Sequence, residues 1–334
     1  MVEGKDVILV TQFPSDSWFE GFAKRPNGTI LAARLDEPDL YTFDAEDKDA
    51  IPQPIYNFED VANGLCNMCP IPDSPDEYLV LSSVIDLANV NFDDIKIWRV
   101  ALSPDDSSPP QVKQIPVDLS DTGFAIGIIA VTSRIFVIPD SFKGCIWRLD
   151  IEKGELTLLI ADDSMKSAGN EGDFFGLNRV RVTEDFMWFT NTSAGTLCRI
   201  PIDRVPDEPS VGLRVAGPVQ VVADDVPHCD GLALTEDQTT AYTCNYNEGY
   251  VWKVTIDPPT GKSETSVCLK NLSAPTTVEM AYVDNQPRLY VACCGEIEIG
   301  WVRQDDPNYW KEIADINSAV TVTVVTHEET VEAA

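Results

Sequence analysis

One pattern constrains this chain more than any other. An aromatic-basic-apolar triplet returns at intervals of about fifty residues. Trp98-Arg99-Val100, Trp147-Arg148-Leu149 and Trp252-Lys253-Val254 show it plainly, and Cys198-Arg199-Ile200 is a close variant. Tyr41-Thr42-Phe43 and Trp301-Val302-Arg303 are looser versions. The first residues of successive triplets stand 57, 49, 51, 54 and 49 positions apart. A short apolar and β-branched run precedes each triplet and is entered through a polar turn: 27–34, 76–83, 133–140, 185–192, 239–246 and 287–294. Such runs read as strands. Another strand lies upstream at 20–25, 63–69, 125–131, 178–183, 230–235 and 277–282, and a fourth follows downstream, as at 155–162 and 219–225. No helical periodicity is sustained beyond a turn or two.

Four short strands repeated six times specify an all-β fold, a six-bladed β-propeller with four-stranded blades. The expected blades are 18–60, 61–120, 121–162, 175–225, 228–272 and 274–325 of a single domain over 1–334. A ring has no free edges once a terminal strand closes it. Residues 5–11 are expected to do so as the outer strand of the last blade, with 319–325 competing for the role. A pair of β-sandwiches is the alternative, but it explains the even period poorly.

Composition narrows the function. The 334 residues are 44% hydrophobic, enough for a sizeable core, and 55 Asp and Glu against 24 Lys and Arg leave a net charge of −31. That field repels phosphate backbones and anionic membrane surfaces, so no nucleic-acid partner is expected. No apolar run is long enough to span a bilayer. The N-terminus lacks a signal-peptide layout, which reads as cytoplasmic, or as a secreted or vacuolar mature form without its leader. The nine cysteines include one C-x-x-C, Cys66 and Cys69, and the pair Cys293-Cys294. Zinc or redox chemistry at a lone pair weighs less than the reading of cysteines as small buried hydrophobes. Sequons at Asn27, Asn191 and Asn271 bear on the protein only if it is secreted.

In a propeller the first strand of each blade lines the central channel. Residues entering those strands, here Glu20, Asn63, Ala125, Asn178, Asp230 and Thr277, are expected to surround one mouth. Two carboxylates and an amide among them suit one divalent cation, Ca²⁺ or Mg²⁺. Asn178 and Asp230 acting only as turn caps is the competing structural role.

The stretch HCDGLALTEDQTTAYTCNYNEGYVWKV (228–254) resembles the blade motif of the senescence-marker-protein/gluconolactonase/regucalcin family. GLNRVRVTEDFMWFTNTSAGTLCRI (176–200) and WFEGFAKRPNGTILAARLDEPDLYTFD (18–44) resemble two further blades of it. The resemblance implies Glu20, Asn178 and Asp230 as metal ligands, with Asp230 also a general base. There are departures. Gly123, Ala125 and Ile126 stand where the family positions a sugar lactone, Arg179 follows Asn178 in place of Gly, and Cys229 replaces a Pro. An apolar mouth suits a bulky hydrophobic substrate. The opening blade also resembles a fungal, secondary-metabolism branch of these propellers that includes hetero-Diels–Alderases.

Three functions follow. The first is a natural-product cyclase of the hetero-Diels–Alderase type, joining a quinone-methide-like diene to a terpene-like alkene. Its catalytic groups would be Asp230, Glu20 and His228, with Trp18, Phe124, Asn178, Phe174, Phe175 and Tyr246 around the substrate. Ordinary blade packing is the competing role for each aromatic. The second is a metal-dependent lactonase or esterase, with Asp230 as base. The third is a non-catalytic binding propeller. Only two His occur and no G-x-S-x-G is present, so nothing points to a serine nucleophile. His327 sits in a tail-like segment. No organic cofactor is expected, and the loop 164–176 is a candidate lid.

Overall fold

The computed structural model describes residues 7–13, 17–47, 51–86, 89–169, 175–257, 260–283, 286–294 and 320–326. The described chain is an all-β propeller with four-stranded blades, and its one helical turn is a 3₁₀ turn at Asp163–Met165.

The first sheet is built from β2 (Phe19–Lys24), β3 (Thr29–Arg34), β4 (Asp39–Asp44) and β5 (Gln53–Asn57). The second holds β6 (Gly64–Pro70), β7 (Glu77–Asp86), β8 (Asn91–Ala101) and β9 (Gln111–Ile115). The third holds β10 (Ile129–Ala130), β11 (Ile135–Asp140), β12 (Cys145–Asp150) and β13 (Glu155–Ala161). The fourth runs β14 (Leu177–Val182), β15 (Phe186–Asn191) and β16 (Thr196–Val205). Two strands then share the far edge of β16, β17 (Gly212–Val215) and β18 (Gln220–Ala223). The fifth holds β19 (Cys229–Leu234), β20 (Thr240–Asn245), β21 (Tyr250–Ile256) and β22 (Ser263–Leu269). The sixth joins β23 (Pro275–Val283) and β24 (Gln286–Cys293) to β25 (Val320–Thr326), with β1 (Val7–Phe13) on the outside.

Every strand pairing is antiparallel, and the innermost strands touch in the cyclic order β2, β6, β10, β14, β19, β23 and back to β2. Five of the six triplets fall in third strands, β4, β8, β12, β16 and β21. In β8, β12, β16 and β21 the first and third side chains of the triplet share one apolar layer, and the basic residue between them points to the other face. Trp301-Val302-Arg303 lies outside the described residues, and β25 supplies the third strand of that sheet. The two terminal segments are partners rather than competitors, because β25 pairs with β24 while β1 pairs with β25 from Val7↔Val325 to Phe13↔Val320. Phe13 then meets Phe19 and Phe43 edge-on at 4.7 and 6.0 Å, sealing the seam between last and first sheets.

The core is a set of apolar layers between neighbouring sheets. The largest joins the second and third sheets through Leu79, Leu81, Ile97, Phe136 and Ile138. All nine thiols are free and all but Cys268 are buried. Burial pushes the Cys69 thiol up to about 12 and Cys66 higher still, as befits cysteines used for packing. Asn191 is also packing: it is fully buried and its Nδ2 donates at 2.8 Å to the carbonyls of Ser164 and Lys166, so that sequon carries no accessible amide.

Candidate functional site at the channel

Five of the six inner strands carry a register break near their start. The break skips Glu20 in β2, Cys66 in β6, Asn178 and Arg179 in β14, Asp230 and Gly231 in β19, and Thr276 in β23. A bulge re-aims the side chain it carries, and of the bulged residues Glu20 and Arg179 line the channel cavity, while Cys66 packs into an apolar layer and Thr276 donates to the Phe19 carbonyl. Gly231 explains the Asp-Gly pair. A Cβ there would stand 2.7 Å from the Thr276 carbonyl oxygen and from the Val278 nitrogen, so only glycine lets β19 approach β23.

The bulges correct two expected positions. Asn63 does not enter the ring: its Oδ1 accepts from the Ile85 nitrogen at 2.6 Å and its Nδ2 donates to the Ile85 carbonyl at 2.9 Å, so it braces β7. Cys66 takes the bulge position of the second sheet. Thr277 lies one residue past its bulge and still reaches the axis, where its hydroxyl accepts from Arg179.

Arg179 organises the site. It is 3% exposed. Its Nη2 donates to Glu20 Oε2 at 2.5 Å and to Thr277 Oγ1 at 3.1 Å, and its Nη1 donates to the Ile126 carbonyl at 3.0 Å. One guanidinium on the fourth sheet thereby ties the first, third and sixth sheets across the channel. Glu20 is fully committed: its Oε1 accepts the Trp18 indole N–H at 2.6 Å while Oε2 holds Arg179. Asn67 fixes its backbone, donating to the Glu20 carbonyl at 2.7 Å. Burial raises the Glu20 carboxyl, and Arg179 and the indole pull it back. Glu20 and Asp230 in turn hold Arg179 charged against its burial.

Asn178 and Asp230 sit beside this pair. Asn178 Nδ2 donates to Thr192 Oγ1 at 2.9 Å, and the hydroxyls of Thr192 and Thr190 donate to the carbonyls of Cys229 and Asp230 at 2.8 and 2.9 Å. Asn178 Oδ1 and Asp230 Oδ1 are buried with no hydrogen-bond partner. Buried acceptors without a donor call for a proton or a donor ligand. Burial first, then the neighbouring Glu20, raises Asp230 well above the ordinary aspartate range, against the opposing pull of Arg179 and the Asn178 side chain.

A divalent cation held by Glu20, Asn178 and Asp230 requires their oxygens to converge freely on it. Glu20 instead spends both oxygens on Trp18 and Arg179, and a fixed guanidinium already acts electrostatically on both carboxylates. The three residues do not fit a divalent metal as a set. Among the described residues no group of three or more His, Cys, Asp or Glu is placed to hold one.

The expected apolar wall is partly assembled. Asp140 replaces the missing start of β10: its Oδ2 accepts from Gly123 N at 2.7 Å and its Oδ1 from Phe124 N at 3.1 Å, fixing the backbone of Phe124. Phe124 stacks on Phe92 with centroids 3.6 Å apart, and Phe142 and Phe175 complete a four-ring cluster. Phe142 is 39% exposed, which opens that cluster to solvent. Trp18 joins the same apolar layer. His228 and Tyr246 pair with one another, centroids 6.1 Å apart, and among the described residues no hydrogen bond or ion pair links His228 to Asp230 or Glu20. Phe174 and the centre of the 164–176 loop lie outside the described residues.

A cavity of about 430 Å³ occupies the channel. Glu20 and Arg179 line it, but Trp18, Phe124, Asn178, Asp230, His228 and Tyr246 do not. Its walls come from residues further along the inner strands, including Lys24, Cys69, Ile129, Arg181 and Glu279. The Glu20–Arg179 pair is thus a partition, with Asn178 and Asp230 beyond it. The alternation Arg179-Val180-Arg181 on a channel strand was the available sign that both arginines face the axis.

These features define the fold class as a propeller of the kind built around a central channel, and the comparisons agree. No family model matches the chain, and no curated protein matches it in sequence. Solved structures do match in fold. The soluble aldose sugar dehydrogenase of Escherichia coli in its apo-form has a TM-score of 0.60 at 15% identity, covering 96% of this chain and 99% of that one. The PQQ-bound aldose sugar dehydrogenase of Streptomyces coelicolor scores 0.57 at 13%, covering 97% and 99%. The calcium-binding protein regucalcin of Agrobacterium tumefaciens scores 0.57 at 15%, covering 98% and 95%. At such identities the likeness establishes the shared propeller architecture. Among the described residues no helix is long and apolar enough to cross a membrane.

Proposed function

We propose that this chain is an enzyme acting on an apolar, oxygen-bearing small molecule. It would be a cyclase of the hetero-Diels–Alderase type working by acid assistance and orientation rather than through a metal ion. Counting the five-stranded sheet as a blade, the scaffold is a six-bladed ring in one domain. The observation that carries the reading is Arg179, whose guanidinium pairs with Glu20 where the family resemblance places a cation. With Glu20 neutralised, Asp230 is the group left to act. Burial raises it, and in this reading it would serve as the donor that hydrogen-bonds an enone oxygen or protonates a leaving hydroxyl. Asn178 Oδ1, without a partner, would accept a hydrogen bond from a hydroxyl of the same ligand. The Phe92, Phe124, Phe142 and Phe175 rings offer an apolar face on which a diene and an alkene are held together. In favourable cases such orientation is worth roughly 7–11 kcal/mol of barrier.

The supporting experiment uses chelator-treated protein with an ortho-quinone methide, generated in place from its benzylic alcohol, and a cyclic terpene alkene. Cycloadduct of one handedness, lost in Asp230→Ala and indifferent to added Ca²⁺, is expected. A racemic adduct formed at the protein-free rate refutes the proposal. Lactonase action is the second reading, favoured by the paired oxygens Asn178 Oδ1 and Asp230 Oδ1. It requires Arg179 to leave Glu20, and it predicts Ca²⁺-dependent hydrolysis of simple lactones.

A further inference from the structure

We propose that the chamber on the far side of the Glu20–Arg179 partition is a separate binding site for a small monocarboxylate with an apolar body. At about 430 Å³ it has the volume of a small-molecule pocket. Phe22, Ile128, Ile129 and Met280 supply hydrocarbon surface. Five charged side chains line it: Lys24, Arg179 and Arg181 against Glu20 and Glu279.

Two of the cations are already matched. Arg179 pairs with Glu20, and Arg181 Nη2 pairs with Glu279 Oε1, a second tie from the fourth sheet to the sixth one turn of the pleat further down. Lys24 is the remainder. It ends β2 at the end remote from Glu20, is half-buried, and makes no ion pair among the described residues. Arg181 retains donors as well, since Nη2 serves Glu279 and Nη1 the Val180 carbonyl. In a protein of net charge −31, one unbalanced cation beside spare guanidinium donors makes this chamber a local positive spot. The excess is a single charge. A monoanion fulfils it, whereas a phosphate dianion adds a second negative charge beside Glu20 and Glu279. The hydrocarbon walls then select an anion with an apolar body.

The test is calorimetric titration at low ionic strength with 4-phenylbutyrate, with 4-phenylbutan-1-ol as its neutral counterpart and with inorganic phosphate. The carboxylate is expected to bind, with the alcohol and phosphate each about tenfold weaker or more. Lys24→Met is expected to weaken the carboxylate about tenfold, and Ile129→Trp, which fills the chamber, to abolish it. Lys143→Met removes an equal charge next to the four-ring cluster, outside the chamber, and is expected to change nothing. Equal binding of alcohol and carboxylate, tighter phosphate, an indifferent Lys24→Met, or no carboxylate binding at about 10 mM each overturns the proposal. Loss of carboxylate binding in Lys143→Met with retention in Lys24→Met places the ligand at the other mouth and also overturns it. None of these outcomes depends on cyclase activity.

Discussion

Arg179→Gly tests the role of the guanidinium in this channel. The change creates an Asn-Gly pair and removes the guanidinium while keeping the backbone N–H of position 179, which donates to Thr190 Oγ1 at 3.1 Å. Glu20 Oε2, Thr277 Oγ1 and the Ile126 carbonyl lose their donor. Removing one partner of a buried pair costs about 3–5 kcal/mol, because the other charge stays behind uncompensated. The space vacated lies between Glu20 and Asp230, both of which feel the Arg179 charge. Calcium is therefore expected to bind the variant and recover stability, by about 2.7 kcal/mol at a hundredfold excess over its dissociation constant. The assay is thermal unfolding against Ca²⁺ concentration at constant ionic strength, in wild type, Arg179→Gly and Arg179→Met. Methionine removes the same charge but keeps the volume filled, so it separates a vacated site from general binding of Ca²⁺ to an acidic surface. A Ca²⁺ response confined to Arg179→Gly is expected. Equal responses in all three proteins, or in both variants, would refute the idea that the guanidinium stands in a cation's place.

Three further outcomes follow from the same geometry. Asp230 keeps its proton in the folded state at pH values where an ordinary aspartate, near ~3.9, has lost it. Its contribution is therefore complete below ~3.9 and is lost as pH rises through the folded value, with a slope of about 1.4 kcal/mol per unit. Asp230→Asn should flatten the fall of melting temperature above pH 4, and parallel curves would contradict the assignment. Gly231→Ala should destabilise by about 1–3 kcal/mol, because its methyl meets backbone at 2.7 Å, as read by urea unfolding. Arg25→Met should cost about 3–5 kcal/mol by the same assay. Arg25 has a fully buried side chain that joins the first sheet to Asp76 at 2.8 Å, and Asp76 would lose its cation and keep the Tyr78 hydroxyl, which donates to it at 3.0 Å.

The repeat was legible because each sheet must bury one face of each strand, and that alternation survives in the residues of five third strands. The bulges were not, since a period of two marks the faces but does not show where the register skips. Hence Asn63 was placed in the ring and Cys66 was not. The convergence of Glu20, Asn178 and Asp230 followed once the strands were aligned. The role of Arg179 did not, because its partners lie 159 and 98 positions away, on sheets not adjacent to its own. The four-ring cluster was half visible: Phe124 and Phe175 were expected, whereas Phe92 and Phe142 enter from a strand and a turn with no local mark of the channel. His228 and Tyr246 lie in ring contact with one another, and neither lines the channel cavity.

The pairing of β1 with β25 has a consequence for the nascent chain. Val7 meets Val325, so β1 leaves the ribosome 318 residues ahead of the strand it pairs with. At about 5–20 residues per second that interval is roughly 15–60 s. During it the inner sheets can form one after another, but the sixth sheet cannot, and β1 travels as an unpaired apolar edge. Over that interval the β1 edge is open to pairing with other chains until β25 emerges.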